Sequence, residues 1–471
     1  MAMTLAQIRR RYIQPMPFLK KLFWVYFLLL IFEGALRKWI FPPLSAPLLL
    51  VRDPIGLLII AEAYRENKWP EKWSAVTGIL AAFLLGLCVV QLIVGNNPWF
   101  AGLYGLRSYL LPFPVAFIMG ENLDEEDLRK FGLVTLWILL PMTLLEIAQY
   151  LAPAESFLNN GAYEGGSQIT YTGAHVRASG TFSFVTGPTS FTPLAAAFIL
   201  YGFVREKMAP RWLLWSASFA LLLSVPIIGS RTLVFELAGV AFCAGIGALC
   251  GVSQLFQSLK FAAPLLIIAF LVSLLPVFSE ASVNLRTRFT EASKSEGTVE
   301  ESVQQRTFGS MYDTIVQTDF GSNTLGRGMG IGATAITRVR TGEIIFFVAG
   351  EGEFERVLNE LGPFPGLFFM TSRLLLAVFV IVAAIAQARR QEPLALLLVP
   401  LMFASVYLDV LEQPTEQGFM VITLAFSLAA LRRTQQTERA IPVSRFTVPA
   451  GPSQRRVLVA NRLPTRGGRE G

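Results

Sequence analysis

The residues best suited to chemistry in this chain are arginines set in short polar breaks between apolar runs. In Ile228-Gly229-Ser230-Arg231-Thr232 a polar turn separates two such runs. A guanidinium there can grip a phosphate through two parallel hydrogen bonds while its stem stays in an apolar layer; the alternative is an arginine that only snorkels to an interface. Arg177-Ala178-Ser179-Gly180-Thr181-Phe182-Ser183-Phe184 is a second candidate, a Gly- and Ser/Thr-rich stretch whose backbone could face a ligand, with the only histidine, His175, just before it. A lone loop histidine is more often a solvated bystander than a ligand. The third is Leu325-Gly326-Arg327-Gly328-Met329-Gly330-Ile331-Gly332-Ala333. Its glycines are spaced like a phosphate loop, but no strand-to-helix unit surrounds it and no Lys-Ser/Thr follows, so a nucleotide site is rejected. A turn that admits a bulky ligand or packs closely on neighbouring backbone is the better account. Glu351, Glu353, Glu355 and Glu360 then cluster ahead of Leu361-Gly362-Pro363. Such carboxylates can serve as general bases, or form a solvated acidic face.

Further ionisable residues fall inside apolar runs: Glu33, Arg52, Asp53, Arg107, Glu146, Glu236, Arg373 and Asp409. In a bilayer these are costly and mark either function or ion pairs that lock helices together. For Arg52 and Asp53, beside Pro54, the locking role is preferred. Arg231 and Glu236 are five residues apart, more than one helical turn, and need not pair.

The elements that must position these groups are membrane helices. Hydrophobic residues make up 53% of the 471 and charged residues 15%, where a soluble chain carries about 25% charge; mean hydropathy is +0.52. Apolar runs near the length that crosses a bilayer recur from Leu22 to Leu431, which predicts an all-α integral membrane protein with about twelve transmembrane helices. The expected spans are Leu22 to Trp39, Leu48 to Ala63, Ser74 to Val94, Leu103 to Met119, Phe131 to Leu151, Thr189 to Val204, Trp212 to Gly229, Leu233 to Cys250, Leu259 to Phe278, Gly362 to Ala386, Pro393 to Asp409 and Gly418 to Leu431.

Basic residues gather in alternate connections: Arg65, Lys68 and Lys72; Arg129 and Lys130; Arg205, Lys207 and Arg211; Arg389 and Arg390. They place those connections, and both termini, in the cytoplasm. Arg37 and Lys38, on the opposite side, break the rule. Residues 1–21 form a cytoplasmic amino terminus, retained because no small-residue cleavage site follows the first apolar run. Residues 22–431 form the transmembrane domain, and two long connections, about 152–188 and 279–361, fall outside. The second is a large periplasmic loop with an amphipathic helix, its stripe being Phe308, Met311, Tyr312, Ile315 and Val316, suited to lie along the bilayer surface or cap the bundle.

Net charge is +7. From Arg432 onward nine arginines face two glutamates, a surplus equal to that of the whole chain. The basic balance thus belongs to residues 432–471, a Pro- and Gly-containing tail expected to be disordered and to touch anionic lipid. It does not indicate a nucleic-acid surface. Cys88, Cys243 and Cys250 lie inside apolar runs without metal-ligand spacing, so neither a metal site nor a disulfide framework is expected.

Taken together, the motifs resemble the bacterial O-antigen ligase and polymerase family of membrane glycosyltransferases. Gly229-Ser230-Arg231 is similar to that family's Ser-Arg element, Arg177 to Phe184 to its Gly-Thr-Phe segment, and Gly326 to Gly332 to its Gly-x-Gly turn. Glu360-Leu361-Gly362 with Gly366 is similar to the start of a late helix. The resemblance implies transfer of a glycan from an undecaprenyl-pyrophosphate carrier to a sugar hydroxyl on the periplasmic side of a bacterial inner membrane, in polysaccharide assembly, without a cofactor, nucleotide sugar or required metal. It implies Arg231 as the main pyrophosphate ligand, with Arg177 and Arg327 secondary, and other assembly proteins as possible partners. Where many members carry His-Asn, this chain has Glu351-Gly352. Glutamate can act as the base, which favours a polymerase over a histidine-dependent ligase. Two other classes suit the same helices: a transporter or flippase of lipid-linked oligosaccharide, although no internal repeat is evident, and an assembly scaffold acting through its basic tail.

Overall fold

A computed structural model describes residues 16–94, 97–162, 175–205, 208–252, 255, 275–296, 310–317, 324–333, 336 and 352–440. Among these the regular structure is helical: α1 (Phe18–Ala35), α2 (Arg52–Arg65), α3 (Glu71–Val94), α4 (Trp99–Leu110), α5 (Pro112–Asn122), α6 (Glu125–Leu151), α7 (Thr186–Val204), α8 (Arg211–Ile228), α9 (Arg231–Leu249), α10 (Pro276–Glu296), α11 (Ser310–Gln317), α12 (Glu353–Leu361), α13 (Pro363–Ala388), α14 (Leu394–Phe403) and α15 (Pro414–Ala440). Two π-helical turns, Leu36–Ile40 after α1 and Ala404–Leu408 after α14, end otherwise regular helices. In hydrocarbon every backbone polar group must be satisfied within its own segment, which is why apolar runs of this length become helices.

Eight helical stretches among the described residues are long and apolar enough to cross a membrane, one of them Pro42–Arg65, in which short helical turns run on into α2, and the protein is a multi-pass membrane protein. Three other expected spans are helical but miss that standard. The first carries Lys20, Lys21 and Glu33, the fourth is divided at Leu111 into α4 and α5, and α14 is short. The ninth expected span, Leu259 to Phe278, lies outside the described residues except for its last four. The chain divides into two compact units, Met1–Arg433 and Thr434–Gly471. The bundle is the first; in the second, residues 434–440 are helical.

Caps set the helix ends. Asp124 and Asp127 form a reciprocal capping box at the start of α6, each carboxylate accepting the other's backbone N–H at 2.9 and 3.0 Å, and Lys20 of α1 donates to both, at 2.6 Å to Asp124. That arrangement satisfies orphan amides and complements the helix dipole. The core is built by α7, α14 and residues 416–430 of α15, whose side chains are almost all buried. Trp24, Phe27, Phe131 and Phe426 interlock α1, α6 and α15, with Trp24 stacked on Phe131 at 3.9 Å. The expected amphipathic helix exists as α11, packed on α12; Ile315 joins the core while Tyr312 and Val316 are exposed. Phe308 of the same stripe lies outside the described residues.

Candidate functional site

At the end of the bundle where α1 stops and α2 begins, the Arg177–Phe184 segment lies directly on α1. The close approach occurs at Gly34, where a methyl group would overlap the Ser183 amide and the Phe182 carbonyl carbon. Thr181 Oγ1 donates to the Ile31 carbonyl at 2.6 Å. Gln149 of α6 accepts from the Ser179 and Gly180 amides at 3.2 and 2.8 Å and returns a donor to the Gly180 carbonyl at 3.1 Å. Lys38 Nζ donates to Ser179 Oγ at 3.0 Å and the Gly180 carbonyl at 2.7 Å. Arg37 donates to the Ser45 carbonyl, to Ser183 Oγ and to the Ala162 carbonyl at 2.9, 2.9 and 3.0 Å. The two cations that break the charge rule are thus buried donors that seat this segment, not surface charges. A cation spent on internal carbonyls no longer reports which side it faces.

The residues flanking the Gly229-Ser230-Arg231 turn pack against the same segment and the residue that follows it. Gly229 ends α8 in the left-handed region, its N–H on the Val225 carbonyl at 3.2 Å, and Ser230 Oγ caps α9 by accepting from Leu233 N at 3.4 Å. Ile227, one side of the turn, clusters with Ala178, Tyr150 and Ala281; Ile228 clusters with Val185 and Leu233. Arg177 and Arg231 are therefore carried by segments that share apolar contacts, and both are half-buried. His175 joins this place: its ring stacks on Tyr150 at 4.4 Å, Nδ1 donates to the Tyr150 carbonyl at 2.9 Å, and Nε2 is 3.2 Å from Glu280 of α10. Both ring nitrogens are thereby engaged by protein groups.

The glycine turn sits elsewhere, on α3, α4 and α12. It is closed around a carboxylate of its own chain: Glu360, fully buried, accepts from the Gly330 and Gly332 amides at 2.9 and 3.0 Å, from Tyr109 Oη at 2.7 Å and from Arg356 at 3.2 Å. Gln91 of α3 holds the Leu325 and Glu360 carbonyls at 2.6 and 2.8 Å and accepts from Met329 N at 2.9 Å. A methyl group on Gly105 of α4 would overlap the Gly330 amide, so of the two alternatives the turn takes close packing. Successive backbone N–H groups attract an anion, and here the anion is internal. The Arg327 side chain projects from this turn, exposed, while its N–H donates to the Asn359 carbonyl at 2.7 Å.

The acidic cluster is divided by burial. Glu355 is exposed, but Glu353 is buried in ion pairs with Arg356 at 2.7 Å and with Arg373 of α13. Neither an open base nor a solvated face describes Glu353 or Glu360. Burial lowers the Arg356 pKa, and Glu353, Tyr109 and Glu360 more than reverse that, holding the guanidinium well above its ordinary value. Glu351 lies outside the described residues.

Most of the other charges in apolar runs lock helices together. Arg52 pairs with Glu33 at 3.0 Å and donates to the Pro414 carbonyl, whereas Asp53 pairs with Arg107. The adjacent Arg52 and Asp53 thus each bind a different helix. Arg107 also reaches Gln417 Oε1 at 3.1 Å, Glu416 accepts from Val410 N at 2.7 Å, and Arg373 donates to the Asp409 carbonyl at 3.2 Å. The 409–417 connection is the hub of this network. Glu146 differs: fully buried in α6, it accepts from Ser224 Oγ at 2.7 Å and has no cation in hydrogen-bonding reach among the described residues.

No family model, curated protein or solved structure matches this chain. Among the described residues no group of His, Cys, Asp or Glu side chains could hold a metal ion.

Sequence reading missed Glu360, Tyr109 and Gln91 as a unit. The available signal was the spacing of Glu353, Arg356 and Glu360, which puts three charges on one face of a helix. It also missed the lone glutamines Gln91 and Gln149, which in apolar helices are bound to seek backbone partners.

Proposed function

We propose that this protein is a glycosyltransferase of surface-polysaccharide assembly. It would move a glycan from an undecaprenyl-pyrophosphate carrier to a sugar hydroxyl at the periplasmic side of a bacterial inner membrane, in the manner of O-antigen polymerases. The supporting observation is that the residues flanking the Gly229–Arg231 turn, Ile227, Ile228 and Leu233, share apolar clusters with Ala178 and Val185, in and just after the Arg177–Phe184 segment, which brings two motifs distant in sequence to one end of the bundle.

In this reading Arg231 is the pyrophosphate ligand, and Arg177, on the segment packed against the flanks of that turn, is a second cation. The acceptor oxygen attacks the anomeric carbon, the bond from that carbon to the pyrophosphate oxygen breaks, and the pyrophosphate leaves with the electron pair. Arginines stabilise the charge that grows on it. The hydroxyl proton passes to a carboxylate, for which Glu351 is the candidate. His175 acts as a positioning residue that fixes α10 against Tyr150, and Arg327, exposed on the glycine turn, is a secondary contact for the carrier or glycan. The full count is about twelve crossings with both termini cytoplasmic.

The test is Arg231→Ala in cells that make the glycan. Long polymer disappears while the protein stays inserted at normal abundance; polymer of normal length would overturn the assignment. Movement of labelled carrier across proteoliposomes without polymer formation would point to the flippase class instead.

A further inference from the structure

We infer that His175 is a proton-operated latch: the imidazolium ties α10 to the Arg177 segment, and the neutral ring releases it. α10 lies against α8 and α9, beside the segments that carry Arg177 and Arg231. Ala281 packs among Tyr150, Ala178 and Ile227, and Phe289 meets Phe235 of α9 edge-on with ring centroids 6.0 Å apart. Asn284 Nδ2 donates to Tyr150 Oη at 3.2 Å. To these contacts the His175–Glu280 pair adds a tie between α10 and the segment itself.

Counting donors fixes the charge this tie requires. A backbone carbonyl can only accept, so Nδ1, 2.9 Å from the Tyr150 carbonyl, carries a proton. Glu280 Oε1, 3.2 Å from Nε2, is also an acceptor when its carboxylate is ionised. A neutral imidazole has one N–H and sets a bare Nε2 lone pair against a carboxylate oxygen. The imidazolium supplies both donors, and the proton belongs to the ring because imidazole is a stronger base than carboxylate. The ring stacks on Tyr150 with 7° between the planes, which holds both nitrogens in these directions.

Among the described residues the groups facing the ring are Glu280 of α10 and the Tyr150 phenol of α6, while α8 offers the apolar Ile227. The cations of the neighbourhood are Arg177, two residues along the same segment, and Arg231 on the turn whose flanks pack here. Histidine is the side chain whose charge changes in the physiological pH range. Loss of its proton replaces an ion pair by opposed lone pairs, so the latch closes as pH falls and opens as pH rises. The side chains of His175 and Glu280 are 25% and 57% exposed, which makes the tie a modest one, roughly two- to fivefold in the opening of α10.

Hydrogen–deuterium exchange of a peptide covering residues 279–290 of α10, in the full chain in detergent, tests this. Each variant is compared with the wild type at the same pH, so that the intrinsic pH dependence of amide exchange cancels. His175→Phe keeps a ring against Tyr150 and removes both nitrogens. Its α10 should exchange roughly two- to fivefold faster than the wild type at about pH 5, and the ratio should approach one at about pH 8.5. Glu280→Gln separates the proton from packing, because an amide accepts from the imidazolium and donates to the neutral ring. Its exchange relative to the wild type should therefore fall as pH rises, and this arm decides the matter if His175→Phe does not fold. A His175→Phe ratio that is the same at both pH values would overturn the inference, as would a Glu280→Gln ratio that does not change with pH. The readout needs no glycan transfer, so it stands apart from the outcome of Arg231→Ala.

Discussion

Replacing Glu360 by Gln tests whether the glycine turn is held by an internal anion. The carboxylate is fully buried and takes four donors, three on Oε2 and the Gly332 amide on Oε1. A glutamine side chain keeps one oxygen. If it stays with Tyr109, Gly330 and Arg356, the new amide donor faces the Gly332 N–H and leaves it orphaned, at a cost of about 1–3 kcal/mol. The remaining bonds lose their ionic partner, at about 0.5–1 kcal/mol each. The total, roughly 2.5–6 kcal/mol, is a large share of a typical stability of about 5–15 kcal/mol. Global folding should survive while the turn opens. Hydrogen–deuterium exchange of a peptide covering residues 326–333 should accelerate at least about 60-fold, following the lower end of that cost, and the melting temperature in detergent should fall. Glu355→Gln, on the exposed face of α12, should change neither. Unchanged protection of the turn in Glu360→Gln would refute the reasoning, because the amides would then owe their order to packing alone.

Gly34→Ala should destabilise the protein by about 1–3 kcal/mol or more, since the added methyl overlaps Ser183 backbone rather than a movable side chain; a melting temperature equal to the wild type would contradict the seating of that segment on α1. Glu353→Gln and Arg373→Met should each cost about 3–5 kcal/mol, because each strands a buried charge. Their double variant should cost less than the sum, and strict additivity in chemical unfolding would show that the pair does not couple. The Lys20–Asp124 contact gives a pH dependence at the rim of the bundle. Burial lowers the Lys20 pKa and the two aspartates more than reverse it, so it is raised; burial raises that of Asp124, and Lys20 together with the Asp127 amide more than reverses it, so it is lowered. Its contribution is therefore present between the two unfolded values, lost as pH rises through the raised lysine value and lost as pH falls through the depressed aspartate value. The melting-temperature gap between wild type and Lys20→Met should accordingly shrink below about pH 4, and a gap constant down to pH 2 or so would exclude the pair.

The helices and the polar breaks between them were legible because they depend on local sums. An apolar run such as Thr186–Val204 needs only its own length and composition to prefer a helix in hydrocarbon. The Gly229-Ser230 break was readable in the same way, since a left-handed cap and a hydroxyl N-cap act within a few residues. That buried charges such as Arg52, Arg107 and Arg373 must have partners was also legible, from the cost of leaving them alone.

Which partners they take was decided only by the fold. Arg52 passes over its neighbour Asp53 to meet Glu33 and the Pro414 carbonyl, and Arg107 reaches Gln417. Lys38, which reads as a misplaced surface cation, holds Ser179 and Gly180. The glycine turn reads equally as a turn that admits a ligand or one that packs closely on backbone, until Glu360 is found inside it. Composition and spacing determine where a segment can live, because transfer into hydrocarbon is summed along the chain. Hydrogen bonds and ion pairs have short range and fixed direction, so their pairing exists only once distant helices have brought the groups together.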